Sequence, residues 1–123
     1  MRILIIGCGS IGSILAETVH EIPEVDRIYI TDQKKDLSIH LIERLNKTSF
    51  VSLVEIDSIM TEVDLVVEAA SQTAAKTYIP QVLRKGTDVM MMSVGAFSDE
   101  KFKDECFELA KNNHARIYVP SGA

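Results

Sequence analysis

Residues 2–12 read RILIIGCGSIG, a short apolar run that leads directly into three glycines spaced G-x-G-x-x-G. An apolar run of this length, stopped by glycines, predicts a buried strand that turns at once into a helix. In such a turn Gly7 permits the tight bend, Gly9 lets a bound group approach the backbone, and Gly12 lets the helix pack closely on the strand. This stretch therefore predicts the first unit of a layered sheet-and-helix fold.

The rest of the chain repeats the same alternation of short β-branched runs with longer stretches of helical period. Several of the strand candidates are apolar without alternation, as expected for strands covered on both faces. The predicted strands are residues 2–6, 27–31, 51–54, 64–69, 88–93 and 116–119. With right-handed crossovers they predict an α/β, Rossmann-type doubly wound fold, a six-stranded parallel sheet in the order 3-2-1-4-5-6 with helices on both faces.

The helices between these strands are predicted from apolar stripes. Pro80 predicts a kink or a late start in the helix before the fifth strand, and Gly86 suits a left-handed cap at its end. The last helix is predicted to open at Ser98 and to bury Phe102 and Cys106. The stripe predicted to face the core in the first helix consists of Ile11, Ile14, Leu15, Thr18, Val19 and Ile22.

Length and composition limit the possible classes of protein. The 123 residues, 46% hydrophobic and 25% charged, fit one globular domain rather than a disordered or coiled-coil chain. A net charge of −5 argues against a nucleic-acid partner, because there is no excess of basic residues to contact phosphates. Two cysteines are too few for a disulfide framework and fit a cytoplasmic location, and no apolar run is long enough to span a membrane.

The glycine turn predicts a dinucleotide site because an acidic residue follows it at the required distance. The amides of Ser10, Ile11 and Gly12 would meet a pyrophosphate at the positive end of the helix. Asp32, twenty positions after Gly12, can accept both hydroxyls of an adenosine ribose, which predicts NAD. Lys34 and Lys35 could instead pair with the 2′-phosphate of NADP, so use of NADP stays open.

Two further loops are predicted at the crevice where the strand order reverses. Ala70, Ser71 and Gln72 follow the fourth strand, and Ser93 and Gly95 follow the fifth. As plain sequence each loop is as easily a turn or a helix cap as a ligand contact.

Other reactive side chains give no catalytic or metal site in the sequence. Glu68 ends an apolar strand and is expected to reach solvent at the crevice, although a buried carboxylate there could be catalytic. His20, His40 and His114 do not converge on the crevice, so no general base is assigned. Cys8 and the Met90–Met92 run are interpreted as packing residues.

Four segments carry a resemblance to a known family: 5–12, 67–72, 88–96 and 116–123. In them the sequence resembles L-aspartate dehydrogenase, whose cofactor domain is similar to that of homoserine dehydrogenase. The resemblance implies oxidation of L-aspartate by NAD or NADP to iminoaspartate, which can hydrolyse to oxaloacetate or feed NAD biosynthesis. By motif position it places the glycine turn on pyrophosphate, Asp32 on the adenosine ribose, and Ala70, Ser71, Gln72, Ser93 and Gly95 along the nicotinamide half.

The same resemblance implies that Ser121, Gly122 and Ala123 lie at the junction with a substrate site. Family members continue into a second domain with a catalytic histidine, so we expect residues 1–123 to be the NAD(P)-binding domain alone, without the substrate domain. The amino-acid substrate would then bind only with that domain, and a homo-oligomer is possible. The alternatives are a freestanding nucleotide-binding or redox-sensing module, or the cofactor domain of a homoserine- or imine-type oxidoreductase.

Overall fold

The protein is described by a computed structural model that covers residues 1–7, 9–45, 47–50 and 55–120. Six parallel strands form one sheet in the order β3-β2-β1-β4-β5-β6, which confirms the predicted topology. The strands are β1 (Arg2–Ile6), β2 (Arg27–Thr31), β3 (Thr48–Phe50), β4 (Leu65–Glu68), β5 (Asp88–Met91) and β6 (Ile117–Tyr118). The strand order reverses between β1 and β4, so the crevice opens above the ends of these two neighbours.

The strand bounds agree with the sequence pattern in the first two strands and depart from it in the others. β1 and β2 have the predicted bounds, whereas β4, β5 and β6 are each shorter than predicted. The third strand lies before the predicted segment, and residues 51–54 fall outside the described residues.

The five helices divide between the two faces of the sheet. They are α1 (Ser10–His20), α2 (Lys35–Arg44), α3 (Ile56–Glu62), α4 (Gln72–Arg84) and α5 (Glu100–Asn112), with a 3-10 turn over Val94–Ser98. Leu4 and Ile6 of β1 point into the cluster covered by α3, α4 and α5, while Ile3 and Ile5 point into the cluster under α1 and α2. This two-sided burial explains why the strand runs are apolar without alternation.

The methionine run follows the same two-sided pattern. Met91 is fully buried in the cluster beneath α4 and α5, whereas Met90 and Met92 pack against the opposite cluster. The alternation of successive side chains along a strand accounts for this division. The interpretation of the run as strand core is therefore confirmed.

The stripe predicted for α1 is confirmed only in part, since Leu15 and Val19 pack against the core cluster while other members do not. Gly12 and Ala16 face the sheet, whereas Ile11 is 53% and Ile14 62% exposed. The small residues decide the orientation, because the helix can approach the strand closely only along a face without bulky side chains. The larger isoleucines are thereby turned away from the sheet.

Of the two alternatives predicted from Pro80, a kink or a late start of α4, the late start is wrong. The helix runs from Gln72 through Pro80, which is buried in its interior, to Arg84. Gly86 follows with φ +75°, and its N–H donates to the carbonyl of Leu83 while that of Thr87 donates to Val82. These two bonds form a Schellman motif, so the predicted glycine cap is confirmed.

The last helix begins one residue later than predicted. Asp99, not Ser98, is the N-cap, and its carboxylate accepts from the N–H of Phe102 at 3.2 Å. Residues 94–98 form the 3-10 turn instead. Phe102 and Cys106 are buried as expected.

Burial makes Cys106 a slow nucleophile. Removal from water raises the pKa of its thiol from the ordinary 9.0 to about 11. The thiolate is the reactive form, so alkylation by iodoacetamide at pH 8 should be at least about tenfold slower than in the urea-unfolded chain. Peptide mass spectrometry over a time course measures this at Cys106 separately from Cys8. Equal rates in the two states would show that the site under α5 is open.

Candidate cofactor site at the carboxyl ends of the central strands

The bend after β1 needs a glycine for two reasons. Gly7 has φ +107°, a conformation that side chains with a Cβ rarely adopt. A Cβ at Gly7 would also lie 2.7 Å from the carbonyl oxygen of Ala69, a backbone atom that cannot easily move. The N–H of Gly7 donates to the carbonyl of Thr31 at 2.8 Å, which fixes the turn against the end of β2.

The other two glycines of the motif have opposite surroundings. A Cβ at Gly12 would lie 1.9 Å from the carbonyl oxygen of Gly7, so this residue brings α1 against the turn. At Gly9 no heavy atom of the described residues lies within 4 Å of the position that a Cβ would take, and the residue is exposed. The space beside Gly9 is thus open to a ligand, as the motif predicts.

The start of α1 presents three backbone N–H groups beside that open space. Ser13 makes the first bond of the helix, donating to the carbonyl of Gly9 at 2.9 Å. The N–H groups of Ser10, Ile11 and Gly12 precede it and have no carbonyl within the helix to bond. The N-cap, Gly9, has no side chain to occupy them, and the positive end of the helix dipole adds to their attraction for an anion.

Asp32 lies in the same groove as the glycine turn. The groove has a volume of about 310 Å³, and Gly7, Gly9, Asp32, Ala70 and Ser71 all contribute to its wall. The Asp32 carboxylate accepts the N–H of Lys34 at 2.7 Å, a turn that holds the acidic side chain at the end of β2. A carboxylate and a bare glycine turn across one groove fit the ribose and the pyrophosphate of a dinucleotide.

The wall of the groove opposite Asp32 includes residues that sequence reasoning did not assign. Ala74 and Tyr78 of α4 line it beside Ala70 and Ser71. They lie about one and two helical turns after Ser71, the N-cap of α4. A helical repeat counted from Ser71 was therefore the signal that could have found them. Ala74 and Tyr78 add a small and an aromatic surface of the kind that suits a planar base.

The two crevice loops are joined to each other. Ser71 is the N-cap of α4, its hydroxyl accepting from the N–H of Ala74 at 3.0 Å, so the interpretation as a helix cap is confirmed. The amide of Gln72 lies over Gly95, where a Cβ would be 2.3 Å from Nε2. Gln72, Ser93 and Gly95 do not line the 310 Å³ groove, so their place along the nicotinamide half stays a prediction.

Glu68 does not reach solvent, contrary to the expectation from sequence. Its side chain is fully buried, with 0% exposure, at the end of β4. Its Oε2 accepts from the N–H groups of Ala70 and Ser71 at 2.8 and 3.1 Å and from the hydroxyl of Ser93 at 2.7 Å. Its Oε1 accepts from the N–H of Ser93 at 3.0 Å. The sheet end buries this carboxylate because two adjacent loops supply donors for it.

The described part of the site contains no cluster of metal ligands, and no histidine lines its groove. Within residues 1–7, 9–45, 47–50 and 55–120, no three His, Cys, Asp or Glu side chains are placed to hold a metal ion. His20 and His40 lie on α1 and α2, and His114 lies in the turn before β6, at the opposite end of the sheet. Cys8 and the substrate-proximal Ser121, Gly122 and Ala123 lie outside the described residues.

Comparison with protein families gives a match over the glycine turn and nearly all that follows. Residues 7–120 match the family model for the NAD-binding domain of homoserine dehydrogenase. The chain belongs to this family. Members of this family bind NAD(P) through a Rossmann fold. The expected cofactor class, a nicotinamide dinucleotide, is therefore confirmed for this chain.

Individual relatives carry the resemblance to aspartate dehydrogenases. L-aspartate dehydrogenase of Methanosarcina acetivorans is 37% identical and that of Methanococcoides burtonii 40%, each over 100% of this chain and 45% of the relative. The crystal structure of aspartate dehydrogenase from Thermotoga maritima superposes with a TM-score of 0.75 at 32% identity, covering 100% of this chain and 46% of that one. The NAD-binding domain thus spans less than half the length of the relatives it matches.

One structural finding bears on the membrane. In the portion of the chain that the structure describes, no helix is both long and apolar enough to cross a bilayer.

Proposed function

We propose that this NAD-binding domain serves an amino-acid dehydrogenase of the L-aspartate dehydrogenase type. The groove in which the glycine turn faces Asp32 carries the cofactor part of the proposal, and the 37% and 40% identity to L-aspartate dehydrogenases over the whole chain supports the substrate class. In the proposed reaction L-aspartate loses a hydride from Cα to NAD(P)⁺ and a proton from its amino group, giving iminoaspartate and NAD(P)H. When bound, the nicotinamide ring supplies the hydride acceptor.

The residues of the chain divide the work of binding between them. Gly9 leaves room for the pyrophosphate, and the amides of Ser10, Ile11 and Gly12 donate to it. Asp32 accepts from the adenosine ribose hydroxyls, with Tyr78 beside the base. Gln72 and Gly95 lie toward the nicotinamide half in this arrangement. Every one of these groups binds or orients, and none moves a proton.

In this proposal the residues that bind the substrate, and the group that accepts its proton, belong to another part of the protein. We propose that residues 1–123 form the NAD(P)-binding domain and that the substrate domain lies outside this chain. The 45% share of the relatives that the chain spans supports this division. A cytoplasmic location is part of the same proposal and rests on the sparse cysteines.

The test of the proposal is direct binding. Titration calorimetry of the chain with NAD, NADP and their reduced forms should give saturable binding of at least one of them. No heat from any of the four at millimolar concentration would overturn the cofactor assignment. The isolated chain should not reduce NAD with L-aspartate, and sustained turnover would show that it holds a complete active site.

Asp32 should set the preference for NAD. Asp32→Ala removes an ionic acceptor for the ribose hydroxyls and should weaken NAD binding about tenfold or more. NADP should lose less or gain, because the variant no longer places a negative charge near the 2′-phosphate and leaves Lys34 in place. The ratio of the two dissociation constants is the readout, because a general loss of stability would lower both affinities alike.

Asp36→Ala is the matched control for that experiment. Asp36 is an exposed carboxylate in the first turn of α2 and does not line the groove. The control should leave the ratio of NAD to NADP affinity unchanged. An equal ratio in the wild-type and Asp32→Ala chains would contradict the role of Asp32.

A homoserine-type dehydrogenase is the second candidate, favoured by the description of the matching family. The cofactor groove does not discriminate between the two substrates, because substrate specificity resides in the other domain. Assays of a full-length protein with L-aspartate and with homoserine separate the candidates. A freestanding nucleotide-binding module would bind the cofactor and oxidise neither.

A further inference from the structure

Glu68 connects the two loops of the crevice from within the protein. Its carboxylate accepts four hydrogen bonds, three at Oε2 and one at Oε1, with donor–acceptor distances from 2.7 to 3.1 Å. Two of the donors belong to the loop after β4, at Ala70 and Ser71, and two belong to Ser93 after β5. A single carboxylate therefore bonds to segments that are more than twenty residues apart in the chain.

The burial of the Glu68 carboxylate indicates a role beyond the turn that follows β4. A carboxylate removed from water is strongly unfavourable unless donors replace its hydration. Glu68 is 0% exposed, and it pairs in register with Ile6 of β1, the residue before Gly7. A smaller apolar residue would satisfy the sheet, but it would leave three backbone N–H groups at the crevice without an acceptor.

The same bonds determine how the loops can meet a ligand. The N–H groups of Ala70, Ser71 and Ser93 all point inward to Glu68, and the Ser93 hydroxyl does as well. The Ser71 hydroxyl caps α4. These donors are committed inside the protein, so they are not available to a ligand in the groove.

We propose that Glu68 is a positioning residue that locks the loops after β4 and β5 together, and that Ser93 acts on the cofactor site through Glu68. The proposal rests on the cofactor role given above. Loss of the lock releases at least one loop, since a single amide oxygen cannot replace both carboxylate oxygens. The wall formed by Ala70 and Ser71, and the Gln72–Gly95 contact beyond it, then lose their fixed spacing.

Amide hydrogen exchange without cofactor tests the lock itself. In Glu68→Gln, the N–H of Ser93 or those of Ala70 and Ser71 should exchange at least about tenfold faster, because an NH2 group faces one set of donors. Ser93→Ala removes only the hydroxyl and should accelerate exchange at residue 93 by a smaller factor. Exchange of the β4 and β5 core amides at Val66 and Val89 should stay within about twofold of the wild type.

Binding of NADH tests the consequence for the cofactor site. The chain has no tryptophan, so the fluorescence of the reduced nicotinamide can be followed without a strong protein signal nearby. Glu68→Gln should weaken NADH binding about tenfold and lower the fluorescence enhancement at saturation. Ser93→Ala should fall between this variant and the wild type.

Thr87→Val is the matched control for lost buried bonding. Thr87 is buried, and its hydroxyl donates to the carbonyl of Met60 at 2.8 Å, before β5 and therefore at the far end of that strand. This variant loses a buried hydrogen bond but should bind NADH as the wild type does. A drop in NADH affinity equal to that of Glu68→Gln would mean that instability alone explains the effect, and would overturn the proposal.

The outcomes separate the lock from the function on which it rests. Wild-type exchange rates at Ala70, Ser71 and Ser93 in Glu68→Gln would overturn the lock, whatever the binding data. If Glu68→Gln does not fold, Ser93→Ala decides the question, and unchanged exchange and NADH affinity in that variant would overturn the proposal. Failure of the wild-type chain to bind NADH would instead reject the cofactor role.

Discussion

Replacing Gly9 with alanine should weaken NAD binding at least about 100-fold while the fold stays intact. The added methyl group meets no described protein atom within 4 Å, so it projects into the open groove where the pyrophosphate is expected. Displacing the pyrophosphate from the amides of α1 forfeits ionic hydrogen bonds of about 1.5 kcal/mol or more each. Two such losses amount to about 3 kcal/mol, which corresponds to an affinity at least about 100-fold weaker.

The stability of the Gly9→Ala chain separates this effect from misfolding. Gly9 has φ −70°, which alanine adopts without strain, although glycine is the better N-cap. The free energy of unfolding should change by less than about 1 kcal/mol. Calorimetric titration with NAD and a urea melt of the same preparation measure the two quantities. Wild-type affinity in a folded Gly9→Ala chain would place the pyrophosphate elsewhere.

The fold was predictable because its decisive signals are local. The run before Gly7 and its glycine spacing predict a strand, a turn and a helix in order, and the alternation of runs then predicts the 3-2-1-4-5-6 sheet that is observed. The face that α1 turns to the sheet was not predictable from its apolar residues. Contact between Gly12 and the Gly7 carbonyl requires the small face inward, a tertiary constraint that outweighs the burial of Ile11 and Ile14.

Some residues of the site could likewise be predicted from a local motif, whereas others depend on tertiary contacts. Gly7, Gly9 and Asp32 were predictable from spacing, because each role depends on a residue at the end of a neighbouring strand. Glu68 was not, because its environment depends on donors from Ser93, which is 25 residues away in the chain. A carboxylate at a strand end is exposed unless distant loops bond it, and one sequence does not reveal those loops.

Gly12→Ala should destabilise the fold, whereas Gly9→Ala should leave the fold intact and weaken NAD binding. Its Cβ would lie 1.9 Å from the Gly7 carbonyl oxygen and 2.7 Å from the carbonyl carbon, both backbone atoms of the tight turn. Overpacking against such atoms costs about 3 kcal/mol, and the higher helix propensity of alanine returns about 1 kcal/mol. The net loss of about 2 kcal/mol should lower the melting temperature by about 8 °C.

Thermal and urea melts of Gly12→Ala and Gly9→Ala, measured side by side, test this expectation. Both substitutions add the same methyl group within one motif, so composition and the gain in unfolded-state order are matched. Helix propensity favours alanine at Gly12 and the N-cap preference disfavours it at Gly9, so a lower stability of Gly12→Ala can come only from what surrounds its Cβ. Equal stability of the two variants would show that α1 can move away from the turn without loss, and that Gly12 is not needed for its close packing on β1.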